Sequence, residues 1–159
     1  VERYFIEPIV TVLPQGRLME IKRIDAVYAL ITDEANDKVL MVRNVDNGLW
    51  TLPGGAVEED EFLDMAAIRE VKEETGYDIR LLGIVAINEA ILGEHVCFFT
   101  FRAEIVGGAS HISRPEEISE IKWFCLEEAD SLLPYYQNKL QDTVKRGLAV
   151  MYVNQGTVL

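Results

Sequence analysis

The chain has 159 residues, 49% of them apolar, which suits one compact domain able to bury most of the surface its unfolded form exposes. Lysine and arginine number 15 against 27 aspartates and glutamates, and the resulting formal charge of −12 repels a nucleic-acid backbone, which argues against a polymeric nucleic-acid partner. No run has the length of a membrane span and the first residues lack the apolar core of a signal peptide, so a cytoplasmic protein with no membrane partner is expected. Cys97 and Cys125 each sit in an apolar, strand-like run outside any C-x-x-C pattern and read as buried free thiols.

A single domain over residues 1–159 is expected, with an added strand or hairpin in about the first 22 residues. Ile24 to Thr32 and Lys38 to Arg43 are apolar and β-branched, and Asp33 to Asp37 between them is turn-like, a pattern that predicts a β-hairpin. Leu49 to Leu52 reads as a short strand, ended by Pro53-Gly54-Gly55 as a specialised loop. Asp60 to Thr75 is acidic at its start, rich in helix formers, and followed by Gly76, so it predicts a helix. Ile79 to Glu89 and Val96 to Val106 predict a second hairpin. Ile121 to Leu126 predicts a strand, and Pro134 to Met151 a helix. Strands and helices mixed in this order imply an α+β fold, with a mixed sheet sandwiched between helices.

The chemistry lies on the predicted helix around residue 70. A helix advances about 100° per residue, so Glu70, Glu73 and Glu74 share one face. Ala66 and Ala67 lie in the same arc, and Ile68 and Val71 point to an adjoining apolar stripe. Glu70 and Glu74 form a like-charge i,i+4 pair that costs roughly 0.2–0.5 kcal/mol when exposed and more when buried. Arg69 reaches Glu73 at i,i+4 but points outside the arc, so a hard divalent cation with oxygen ligands is the better compensation. Taken alone, such glutamates are more often a solvated face. Upstream glycines that bring bare backbone close to that face reverse the weighting, because a glycine carbonyl can join as a ligand.

Gly55, five residues, Glu61, seven residues, and then Arg69-Glu70-Val71-Lys72-Glu73-Glu74-Thr75-Gly76-Tyr77 resembles the Nudix box, with every fixed Gly, Glu and Arg at its spacing. Two positions depart from the pattern: Tyr77 stands where an aliphatic residue is usual, and Asp60 where many relatives carry glycine. The resemblance implies an α/β/α sandwich and a pyrophosphohydrolase using Mg²⁺ or Mn²⁺. It implies that a carbonyl of Gly54 or Gly55 and the carboxylates of Glu73 and Glu74 bind metal, and that Glu70 is a ligand or the general base. Glu61 and Arg69 would tie the loop to the helix. Relatives often draw another acidic group from a later loop, where Glu116, Glu117 and Glu120 are the candidates and Glu117 is favoured.

The reaction implied is attack by water on one phosphorus of a P–O–P bridge, with a small nucleotide-like molecule as substrate. Arg43 is the candidate to clamp a phosphate, a task that suits a planar guanidinium. Trp50 is the candidate to stack on a base, although core packing is the commoner fate of such a residue. His95 carries less expectation. Two rivals remain: a ligand-sensing or protein-binding module that keeps the fold without catalysis, against which the intact glutamate set argues, and a cap hydrolase, which should show a basic stripe. Homodimerisation is common in the family, and no interface is identifiable in the sequence.

Overall fold

The computed structural model describes residues 23–133 and 139–157, together with the backbone pairing of β1 (Thr11–Val12) with β2 (Leu18–Met19). Its remaining elements are β3 (Arg23–Ile31), β4 (Lys38–Asn44), β5 (Trp50–Thr51), β6 (Gly54–Ala56), α1 (Leu63–Thr75), β7 (Tyr77–Leu92), β8 (Glu94–Gly108), β9 (Ile118–Cys125), α2 (Leu126–Leu132) and α3 (Leu140–Arg146). They form a four-stranded sheet in the order β6-β3-β8-β7 and a three-stranded sheet in the order β5-β4-β9. β3 and β8 run parallel and the other pairs antiparallel, so the larger sheet is mixed.

β3 and β4 do not form the expected hairpin. Both edges of β3 are taken, one by β6 and the other by β8, which leaves β4 a single bridge between Thr32 and Val39 before it crosses to β5 and β9. Burial on both sides explains why neither strand alternates: Val27 and Ala29 to Ile31 are fully buried, as are Val39 to Val42. Pro53-Gly54-Gly55 is likewise not only a loop, because Gly54 to Ala56 enter the ladder as β6.

Helices lie on both sides of the strands. α1 covers the face that carries Val27, Ala29, Ile31, Phe101 and Ala103, with Ala66, Ala67 and Val71 as its buried apolar contacts. On the other side Leu30, Val39, Met41 and Phe124 pack with Ala129 of α2 and Leu140 of α3. This is the α+β, α/β/α arrangement expected from the sequence. The β7–β8 hairpin runs from Tyr77 to Gly108 and turns at Gly93, with both strands longer than their apolar runs suggest.

Three further expectations need correction. Ile68 is exposed, because the buried arc of α1 runs through Ala67, Val71 and Glu74. Cys97 is buried but Cys125 is exposed, since β9 alternates at its end and Phe124 takes the inward position. The last helix occupies Leu140–Arg146 and stops at Gly147 in the left-handed conformation, while residues 134–138 lie outside the described residues. The chain then returns along β7, where Ile84 pairs with Val150, and Tyr152 packs edge-on to Phe101 with ring centroids 5.3 Å apart.

α1 starts at Leu63 rather than Asp60, because residues 58–61 make a turn in which Asp60 has φ 61°. A left-handed conformation costs a residue with a Cβ about 1–2 kcal/mol, less for Asp and nothing for Gly. Asp60→Gly is therefore expected to hold or raise the melting temperature, whereas Asp60→Val should be about 1–2 kcal/mol less stable than the glycine variant. Thermal denaturation of the three proteins checks this, and equal stability of the two variants would contradict it.

Candidate active site

Two glycines on β6 set the geometry. Gly54 has φ 153°, and a Cβ there would lie 2.0 Å from the Val27 carbonyl oxygen, so only glycine lets β6 come this close to β3. A Cβ on Gly55 would lie 2.7 Å from Glu70 Oε1. The bare backbone of β6 is thereby pressed between β3 and the carboxylate face of α1. The Gly54 N–H donates to Glu74 Oε2 at 2.9 Å.

Glu70 and Glu74 are 8% and 5% exposed, whereas the Glu73 side chain is 27% exposed. Burial pushes the Glu74 carboxyl up to about 8, with the neighbouring charges of Glu70 and Glu117 acting in the same direction and the Gly54 N–H opposing them. Burial also raises Glu70, against the pull of Arg69. Tyr28, on β3 beneath Gly54, is raised by burial first and then by the charges of Glu74 and Glu70.

Arg69 compensates more of this charge than its helical direction suggests. Its Nε and Nη2 make a bidentate pair with Glu61 Oε1 and Oε2, both at 2.8 Å, and Nη2 donates to the Ala56 carbonyl at 3.2 Å. Its Nη1 lies 2.7 Å from Glu70 Oε1 and 3.4 Å from Glu73 Oε2. The Glu61 carboxylate, held low chiefly by Arg69, also accepts the Glu58 N–H at 3.0 Å. One guanidinium thus joins β6, the turn before α1 and the middle of α1.

Arg114, three residues before Glu117 on the same later loop, completes the cluster. Its Nη2 lies 2.7 Å from Glu73 Oε2 and its Nη1 3.3 Å from Glu117 Oε1. Its spacing of three residues from Glu117 was the available signal, but nothing local pointed to Glu73. Glu117 is the later-loop acid whose charge reaches Glu74. The other candidates lie apart from these ion pairs: Glu120 binds Arg43 Nη1 at 2.7 Å, and Arg43 Nε donates to the Gly48 carbonyl at 3.1 Å. Trp50 packs edge-on to Phe124 with centroids 4.7 Å apart, and His95 pairs with Glu89.

Two guanidiniums among Glu61, Glu70, Glu73, Glu74 and Glu117 leave the site negative, and every side-chain acceptor in it is a hard oxygen. That donor chemistry fits a divalent cation such as Mg²⁺ or Mn²⁺. Among the described residues no three acidic, imidazole or thiol side chains already converge as a closed metal cage. Arg69 and Arg114 hold Glu70 and Glu73 instead, so these side chains would have to leave the arginines to hold an ion.

Residues 22–146 match the family model described as the NUDIX domain. The chain is 28% identical over 118 residues to an ADP-ribose pyrophosphatase of Methanocaldococcus jannaschii, covering 70% of this chain and 69% of the relative. It is 33% identical over 115 residues to mRNA-decapping enzyme subunit 2 of Arabidopsis thaliana, covering 66% of this chain but 29% of that protein. Among solved structures it resembles the MutT protein from Methanosarcina mazei Go1, with 31% identity, a TM-score of 0.62, and coverage of 80% of this chain and 94% of the other.

The Glu74 shift has a stability consequence of definite sign. Its folded value, about 8, lies above the ordinary 4.5, so the folded state favours the protonated form. This contribution is fully present below about pH 4.5 and is lost as pH rises towards 8, at about 1.4 kcal/mol per unit. The metal-free protein is expected to lose melting temperature across that window, and Glu74→Gln should lose less and be the more stable protein at pH 8. Thermal melts in chelator at several pH values test this; parallel curves for the two proteins would contradict it.

Proposed function

Because the chain belongs to the Nudix family, we propose that it uses a divalent cation to split the pyrophosphate linkage of a nucleoside diphosphate joined to another moiety. That it is a Nudix pyrophosphohydrolase follows from the family match and its named relatives. The observation that supports the finer reading is the burial of Glu70 and Glu74 against the glycine backbone of β6, in a site whose carboxylates outnumber its guanidiniums. Such an arrangement is costly without a cation and has no purpose as a solvated face.

Glu70, Glu73 and Glu74, with a Gly54 or Gly55 carbonyl, would hold Mg²⁺ or Mn²⁺, which supplies positive charge for the phosphoryl oxygens. In the reaction a water oxygen bonds to one phosphorus, the bridging P–O bond breaks, and the bridging oxygen leaves on the other phosphate. A carboxylate of the cluster takes the water's proton, and the candidates are Glu117 or, as base instead of ligand, Glu70. Arg69 and Glu61 keep α1 in register with β6 so that the carboxylates stay aimed. Arg43 and Trp50 stay candidates for contact with phosphate and base, the first through exchange of its Glu120 partner. The charge of −12 favours a small soluble substrate over an RNA chain.

Purified protein should be incubated with ADP-ribose, nucleotide sugars, nucleoside triphosphates and dinucleoside polyphosphates, with and without Mg²⁺ or Mn²⁺, while phosphate products are scored. Turnover is expected only with metal, and Glu73→Gln and Glu74→Gln should lose on the order of 10²-fold or more of it. Folded protein that binds one of these compounds tightly and turns over none would replace the hydrolase with a ligand-sensing module.

A further inference from the structure

Arg114 reaches the carboxylate helix from outside it, on the segment between β8 and β9. That segment is pinned to the end of α1: the His111 N–H donates to the Thr75 carbonyl at 2.9 Å and the Ser113 N–H to the Glu73 carbonyl at 3.2 Å. Backbone docking therefore delivers the guanidinium to Glu73, and Oε2 of that residue carries both Arg114 Nη2 at 2.7 Å and Arg69 Nη1 at 3.4 Å.

The two arginines are held differently. Arg69, 22% exposed, is fixed by the bidentate Glu61 pair and the Ala56 carbonyl. Arg114, 35% exposed, makes its ion pairs with Glu73 and Glu117, two carboxylates of the site. A hard cation and a guanidinium compete for the same carboxylate lone pairs, and the more exposed, less anchored of two arginines is the one that yields. Once released it remains tethered beside the site, and its planar fork matches a phosphate.

We propose that Arg114 is an internal counter-ion that a divalent cation displaces from Glu73, and that its freed guanidinium then binds a phosphate group of the substrate. This rests on the reading of the α1 carboxylates as metal ligands.

The test titrates Mn²⁺ into wild type, Arg114→Met and Arg114→Lys, reading free ion by electron paramagnetic resonance. Binding of the non-hydrolysable diphosphate α,β-methylene-ADP is then measured by calorimetry at saturating Mn²⁺. Arg114→Met is expected to bind Mn²⁺ about twofold to fivefold more tightly than wild type, the range set by loss of a half-exposed ion pair. It should bind the diphosphate on the order of tenfold more weakly. Arg114→Lys should match wild type in metal affinity and recover part of the diphosphate affinity. An arginine that only holds the loop in place would weaken both ligands in Arg114→Met. That result, or an unchanged affinity for either ligand, overturns the proposal. Wild type that binds no Mn²⁺ overturns the metal reading and the proposal together, whereas normal wild-type binding with the wrong order in Arg114→Met overturns the proposal alone.

Discussion

The backbone of β6 lies directly against the carboxylate face of α1 and against β3. Gly54 can pair with β3 only because it carries no Cβ, and Gly55 leaves the space that Glu70 fills. A side chain at Gly54 would push β6 away from β3, and one at Gly55 would push the Glu70 carboxylate aside. The Gly54 N–H then binds Glu74, so the same strand that seats the helix also orients one of its acids. Sheet pairing, helix placement and the ionisation of the site all depend on this one contact.

Burial of like charges follows from it. Glu70 and Glu74 lie buried one turn apart, which raises both carboxyls, and positive charge nearby lowers the cost of ionising them. Arg69 supplies part of that charge from within the helix and spends most of its donors on Glu61 and the Ala56 carbonyl. Arg114 supplies more from a separate segment. The two arginines reduce the negative charge without removing it, and the hard oxygen donors that remain fit a divalent cation.

The sequence made α1 readable, because Glu70, Glu73 and Glu74 obey the helical period and Gly76 ends the helix at a left-handed residue. The β7–β8 hairpin was readable for the same kind of local reason. What failed was non-local. β3 and β4 look like hairpin strands, but the edges of β3 are claimed by β6 and by the distant β8, and no local pattern reports who occupies an edge. Arg114 escaped notice because its partner Glu73 is brought to it by backbone hydrogen bonds at Thr75 and Glu73 that no spacing encodes. Ile68 looked buried because it is apolar, yet the arc facing the sheet is filled by the alanines, Val71 and the glutamates themselves.

Whether the α1 carboxylates and the glycine strand form one cation site is tested most directly by a crystal grown with Mn²⁺. An anomalous scattering peak is expected, bounded by Glu70, Glu73, Glu74 and a carbonyl of Gly54 or Gly55, with oxygen ligands alone. A peak elsewhere, or none at a concentration that supports turnover, would contradict it.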